Sequence, residues 1–149
     1  MTRLACVVAL GVLLGVAEPA SAQAIPNLSG TWTQSNGEPL TIAQSGSTLT
    51  VTEGGQPRPY NLDGMETKFE RVTPRFTESL TAQAHWVSSA LVVTITTVSP
   101  IGTWQDIEVY SVDYGGKLNR VKVSSAKTQP MMATTTQTYA KTTATARVP

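Results

Sequence analysis

Between residues 40 and 52 the chain reads "LTIAQSGSTLTVT", with apolar side chains at alternate positions on both sides of a Ser-Gly pair. A period of two marks a strand with one face turned to a core. Two such runs make a hairpin only if facing residues share one side of the sheet. A turn at Ser45-Gly46 puts Ile42 opposite Leu49 and Leu40 opposite Val51, with Thr41, Thr48 and Thr50 on the other face. The test also succeeds at Ser88-Ser89. There Trp86 faces Leu91, Ala84 faces Val93 and Ala82 faces Ile95, while His85, Thr94 and Thr96 point away. Gly115-Gly116 offers a third turn, because glycine accepts the positive φ of a tight hairpin. Tyr110 then faces Val121 and Val112 faces Asn119, but Glu108 faces Val123, and Ile107 and Val109 fall on the opposite side. That break in the pattern predicts a bulge near Val109.

Two further strands are expected. Pro57–Leu62 follows a turn at Gly54-Gly55, and its two prolines (Pro57 and Pro59) remove amide donors on the same side, so that side is an open or weakly paired edge. Met131–Tyr139 is the other. With a strand at Trp32, the count is about eight to nine short strands in an antiparallel meander. Asp63–Ser79 is the exception, long for a hairpin loop and rich in charge. It is expected to hold a short helix, a poorly paired strand, or a plain mobile connection. Residues 140–149 lack an apolar face and are expected to form a flexible tail.

No segment sustains a 3.6-residue apolar period, and threonine and valine are frequent, which favours an all-β fold. The first 22 residues change the picture of where the protein works. Arg3, the apolar run Leu4–Ala17 and the small-x-small site Ala20-Ser21-Ala22 compose a signal peptide, with cleavage expected before Gln23. The expectation is a secreted or periplasmic domain spanning residues 23–139. Its only cysteine, Cys6, would leave with the leader, so packing and ladder hydrogen bonds must hold it together. A net charge of +1 with scattered basic residues gives no footprint for nucleic acid. The apolar runs are too short, and the opposite faces too rich in threonine and serine, for a membrane-spanning barrel.

A meander with one apolar face disposes of its edges by curling closed. The stretch "NLSGTW", Asn27–Trp32, resembles the Gly-x-Trp that opens the first strand of lipocalins and related calycin barrels. More widely, the Leu40–Thr52 hairpin, the "YNLDG" turn at Tyr60–Gly64, the Ala84–Thr94 hairpin and the Tyr110–Leu118 hairpin resemble small secreted bacterial proteins with lipocalin-like barrels. The resemblance implies a closed or nearly closed barrel with Trp32 plugging one end. Many lipocalins also place an arginine from the last strand against that Trp; the sequence assigns none here, with Arg120 and Lys141 both open for the role.

The candidate chemistry is sparse. Trp32, Tyr60, Trp86, Trp104 and Tyr110 are the candidates to line a ligand pocket, and they equally suit a filled core. Asp106 and Glu108 alternate about 7 Å apart along a strand, which reads as a wet rim. His85 is the only histidine, with no second ligand type beside it, and is expected to face solvent. No metal site, cofactor or catalytic constellation is expected. The leading expectation is non-catalytic binding of a small hydrophobic or amphipathic molecule. The alternative is a protein-interaction or inhibitor-type module with a filled core, contacting a partner or a second copy through the Pro57–Leu62 edge.

Overall fold

The computed structural model describes residues 25–126 and 129–142. The expected signal peptide, residues 1–22, and the end of the tail, residues 143–149, lie outside them. Ten antiparallel strands and no helix make up the described residues: β1 Gly30–Thr33, β2 Leu40–Ser45, β3 Thr48–Glu53, β4 Gln56–Asn61, β5 Thr67–Val72, β6 Thr77–Val87, β7 Ala90–Ser99, β8 Gly102–Val112, β9 Leu118–Ala126 and β10 Gln129–Lys141. Each strand pairs with its sequence neighbours except β4 with β5, and β1 pairs with β10, so the meander curls into a nearly closed barrel. Strand β10 continues through Lys141, so the first two residues of the expected tail belong to it. The tenth strand is β5, which lies in the Asp63–Ser79 segment and pairs over its full six residues with β6. The segment is therefore half of a hairpin, with neither a helix nor a loose connection.

One seam is left, between β4 and β5, which share no ladder. The prolines explain it. The Leu62 amide donates to the Ser47 carbonyl on the β3 side, while the Asn61 amide donates to Thr67 Oγ1 across the seam at 3.1 Å. Alternation therefore turns Pro57 and Pro59 toward β5, where neither can donate. The seam is pinned near the short β4–β5 connection and unzipped toward its far end.

The hairpins test the expected registers. The Ser88-Ser89 turn is as expected, with Val87 opposite Ala90 and Trp86 opposite Leu91. The first hairpin turns one residue later, at Gly46-Ser47, so Ile42 meets Val51 and Leu40 meets Glu53. Gly46 takes the positive φ (56°) that Ser45 would have resisted. This shift moves each facing partner by two positions, so every side chain keeps its face. The third hairpin differs more. Its connection is five residues, Asp113–Lys117, clamped by Asp113 Oδ1 accepting from the Gly115 and Lys117 amides at 2.9 Å each. Tyr110 now faces Arg120, and Glu108 faces Lys122. No bulge occurs at Val109: the β8–β9 register is continuous, and Ile107 and Val109 simply face outward.

The apolar face of the meander forms one contiguous core that includes Leu28, Trp32, Leu40, Ile42, Leu49, Val51, Leu91, Val93, Tyr110 and Tyr139, with Trp86 packed against it. Each fully buried aliphatic or aromatic side chain contributes about 1.5–3 kcal/mol. Trp32 is buried, and its indole donates to the Leu28 carbonyl at 2.9 Å. The cation over its ring is Lys141, with Nζ 5.3 Å from the centroid. Gly30 makes room for it: a Cβ there would lie 2.7 Å from Lys141 Cε, and Gly30 holds a φ of +145°. Thus the Gly-x-Trp spacing serves a contact between the first strand and the last.

Candidate functional site

Alternation along each strand turns a second set of side chains inward, and these are charged. Glu53, Arg58, Arg71, Glu78, Asp106, Glu108, Arg120 and Lys122 share the concave side with core residues two or four positions along the same strand. They occupy the unzipped end of the barrel, so the interior has an apolar half and an ionic half. At the centre is Glu108, with no exposed surface. One carboxylate oxygen accepts from Arg58 Nη1 at 2.9 Å and from Arg120 Nη2 at 2.8 Å, and the other accepts from the Tyr110 hydroxyl. Glu53 bridges the same two arginines from the outer side, at 2.7 Å to Arg120 Nη1 and 3.2 Å to Arg58 Nη2. Arg71 pairs with Glu78 at 2.5 Å, and Lys122 pairs with Asp106 at 3.1 Å.

The network decides its own protonation. Burial alone would raise the Glu108 carboxyl, but the Arg58 and Arg120 charges, with hydrogen bonds from Tyr110 and Arg120, hold it down at about 2. Burial pushes the Tyr110 phenol well up, and the Glu108 charge pushes it further, so it stays a neutral donor. Burial would lower both arginines, and their anionic neighbours more than offset it. The Tyr60 phenol is raised, chiefly by burial. Arg120 Nε, Tyr60 Oη and Tyr139 Oη are buried with no hydrogen-bond partner among the described residues. Such groups each cost about 1–3 kcal/mol if nothing meets them.

Above this network the unzipped seam opens into a cleft of about 200 Å³. Pro57 and Arg58 come from β4, Phe69 and Arg71 from β5, Leu80 from β6, and Arg120 from β9, with Glu53 at its edge. The cleft is smaller than the roughly 300–1,000 Å³ of drug-sized pockets. It presents guanidinium groups beside apolar ring and chain surface. The other concavities are larger, about 310–420 Å³, and more open to solvent, one of them beside Trp104 and another beside Trp86.

The five aromatic residues picked out from sequence are not brought together. Trp32, Tyr60 and Tyr110 are fully buried, Trp32 among the apolar core and Tyr110 against the ionic network. Trp86 and Trp104 lie toward opposite ends of the barrel: their partners Leu91 and Thr97 on β7 are about 20 Å apart by strand rise. Asp106 and Glu108 are not a wet rim. Both point inward, each paired with a cation, because the register turns Arg120 and Lys122 in to meet them. His85 is on the outer face, as expected. Arg58, Arg71 and Glu53 carried no signal that pattern reading singled out, and Arg120 was a candidate only for the place against Trp32 that Lys141 takes. The prolines were the usable clue, since they marked where the barrel would stay open.

Among the described residues no group of three or more His, Cys, Asp or Glu side chains is placed to hold a metal ion, and no helix is long and apolar enough to cross a membrane. Compared with protein-family models, with curated proteins and with solved structures, the chain matches none.

Proposed function

We propose that this chain is an exported, lipocalin-like binding protein, without catalytic activity, that holds a small amphipathic molecule at the unzipped end of its barrel. The observation that carries this reading is the cleft between β4 and β5, where Arg58 and Arg120 meet Phe69, Leu80 and Pro57. Charged donors beside apolar walls suit a ligand with one polar end and a short apolar body. The apolar half of the barrel is occupied by its own side chains, which disfavours a purely hydrophobic guest there. Export rests on the leader read in residues 1–22.

A thermal-shift series with the six-carbon probes hexanoate, hexanol and hexylammonium tests it, with backbone amide NMR to locate binding. A probe at a hundred times its dissociation constant stabilises by about 2.7 kcal/mol, a readily measured rise in Tm. The reading expects amide shifts confined to β4, β5 and the end of β3. Absence of any shift there for all three probes would remove it.

The seam also favours a second reading, a protein-interaction module. Strand β5 is paired on one side only, and an incoming strand could add to its free edge. Light scattering after size exclusion distinguishes the two: self-association lost in a Glu70→Pro variant would favour the interface, and a strict monomer the binding cleft.

A further inference from the structure

We infer that Glu53 stands where a ligand carboxylate belongs, and that the ligand of the cleft is a monoanion that binds by displacing it from Arg58 and Arg120. The inference rests on the mouth of the barrel being the binding site. It adds the charge of the guest and the group it must evict.

Three observations carry it. The first is a charge count. The floor holds two guanidinium groups, Arg58 and Arg120, and one buried carboxylate, Glu108. Arg71 and Lys122, the other cations at the cleft, are matched by Glu78 and Asp106, and Glu70 at the rim is exposed on the outer face of β5, where water screens it from the floor. With Glu53 in place the floor is neutral. With Glu53 swung out, one positive charge is left beside apolar walls, and a single negative charge restores neutrality. An uncompensated charge in such a site is costly, so eviction without replacement is disfavoured.

The second is the contrast between the two carboxylates. Glu108 is fully enclosed, whereas the Glu53 side chain keeps 34% of its surface exposed. Glu53 is the last residue of β3 and precedes the Gly54-Gly55 turn, both glycines at positive φ with no side chain to hinder an outward swing. It can leave to solvent, and Glu108 cannot. The third is how lightly Glu53 holds Arg120. It engages Nη1 alone, at 2.7 Å, while Nη2 is held by Glu108, so an incoming carboxylate has one hydrogen bond to take over on that guanidinium.

Calorimetric titration of the full chain with hexanoate, hexanol and hexylammonium tests this, in the wild type and in Glu53→Gln and Glu53→Ser. Wild type is expected to prefer hexanoate over hexylammonium. Both variants are expected to bind hexanoate at least tenfold more tightly, with hexanol changed less than threefold. Two variants guard against one misfolding, and the preference within the wild type needs no variant. Hexanol and hexanoate binding alike, with neither variant altering the ratio, would overturn the inference while leaving the mouth as a binding site. Binding of no probe to any of the three proteins would overturn both.

Discussion

Glu108 is the residue on which the ionic half of the barrel turns. Removing its charge leaves Arg58 and Arg120 facing each other in a buried setting, where loss of one partner typically costs about 3–5 kcal/mol. Glu108→Gln is therefore expected to lower unfolding stability by that amount in urea, and Tyr110→Phe by a smaller ~1.5–3 kcal/mol, the worth of a hydrogen bond to a charged group. The same carboxyl sets an acid limit. Its folded pKa, about 2, lies below the ordinary 4.5, so its contribution is complete above about pH 4.5. As pH falls from there toward 2, the unfolded chain takes up a proton first and stability declines. Urea midpoints measured between pH 5 and 2 should show this slope in wild type and a shallower one in Glu108→Gln. Gly30 offers a separate check at the opposite end. Gly30→Ala is expected to cost about 1–3 kcal/mol, because φ of +145° strains any side chain and the new methyl displaces Lys141 from Trp32.

Among the elements, β4 shows how local chemistry opens a site. Pro57 and Pro59 deny β5 two donors, the strands part, and the arginines behind them gain a view of solvent. Pro59→Val should restore one donor. A new ladder hydrogen bond contributes about 0.5–1.5 kcal/mol, and loss of the proline restraint in the unfolded chain takes back about 0.4–1 kcal/mol. Net stability should change by less than ~1 kcal/mol, while hydrogen exchange at the Glu70 amide slows and probe binding at the cleft weakens. The prolines were legible in the sequence for what they do to an edge. The arginines were not, because inside and outside on β9 depend on whether the loop has an even or an odd number of residues. A two-residue turn at Gly115-Gly116 sends Val121 and Val123 inward, whereas the five-residue Asp113 loop sends Arg120 and Lys122 inward instead. Hydrophobic patterning favours the first choice, and only the anionic partners, buried Glu108 and half-buried Glu53, which lie on other strands, make the second acceptable.

For the whole molecule, the strand alternation on β2, β3, β6 and β7 was enough to specify a curled all-β meander, because a dry face repeated on so many ribbons has nowhere else to go. The division of the interior into oily and ionic halves was hidden, since it depends on which distant strands meet. Stability should follow the same division. Amides of β7 and β8, flanked on both sides by long partners, should exchange slowest, and those of β4 and the seam side of β5 fastest.

The clasp between the first strand and the last has a consequence for how the chain matures. Thr33 and Thr142 lie side by side across the β1–β10 join although 109 positions separate them in sequence. Every other ladder is a hairpin that can form as soon as it emerges from the ribosome. Shutting the cylinder must wait for β10 to be made, so a nascent chain stays a string of loose ribbons until then. Such a late latch leaves the ribbons unjoined at their two ends until β10 arrives, and then locks them in one step.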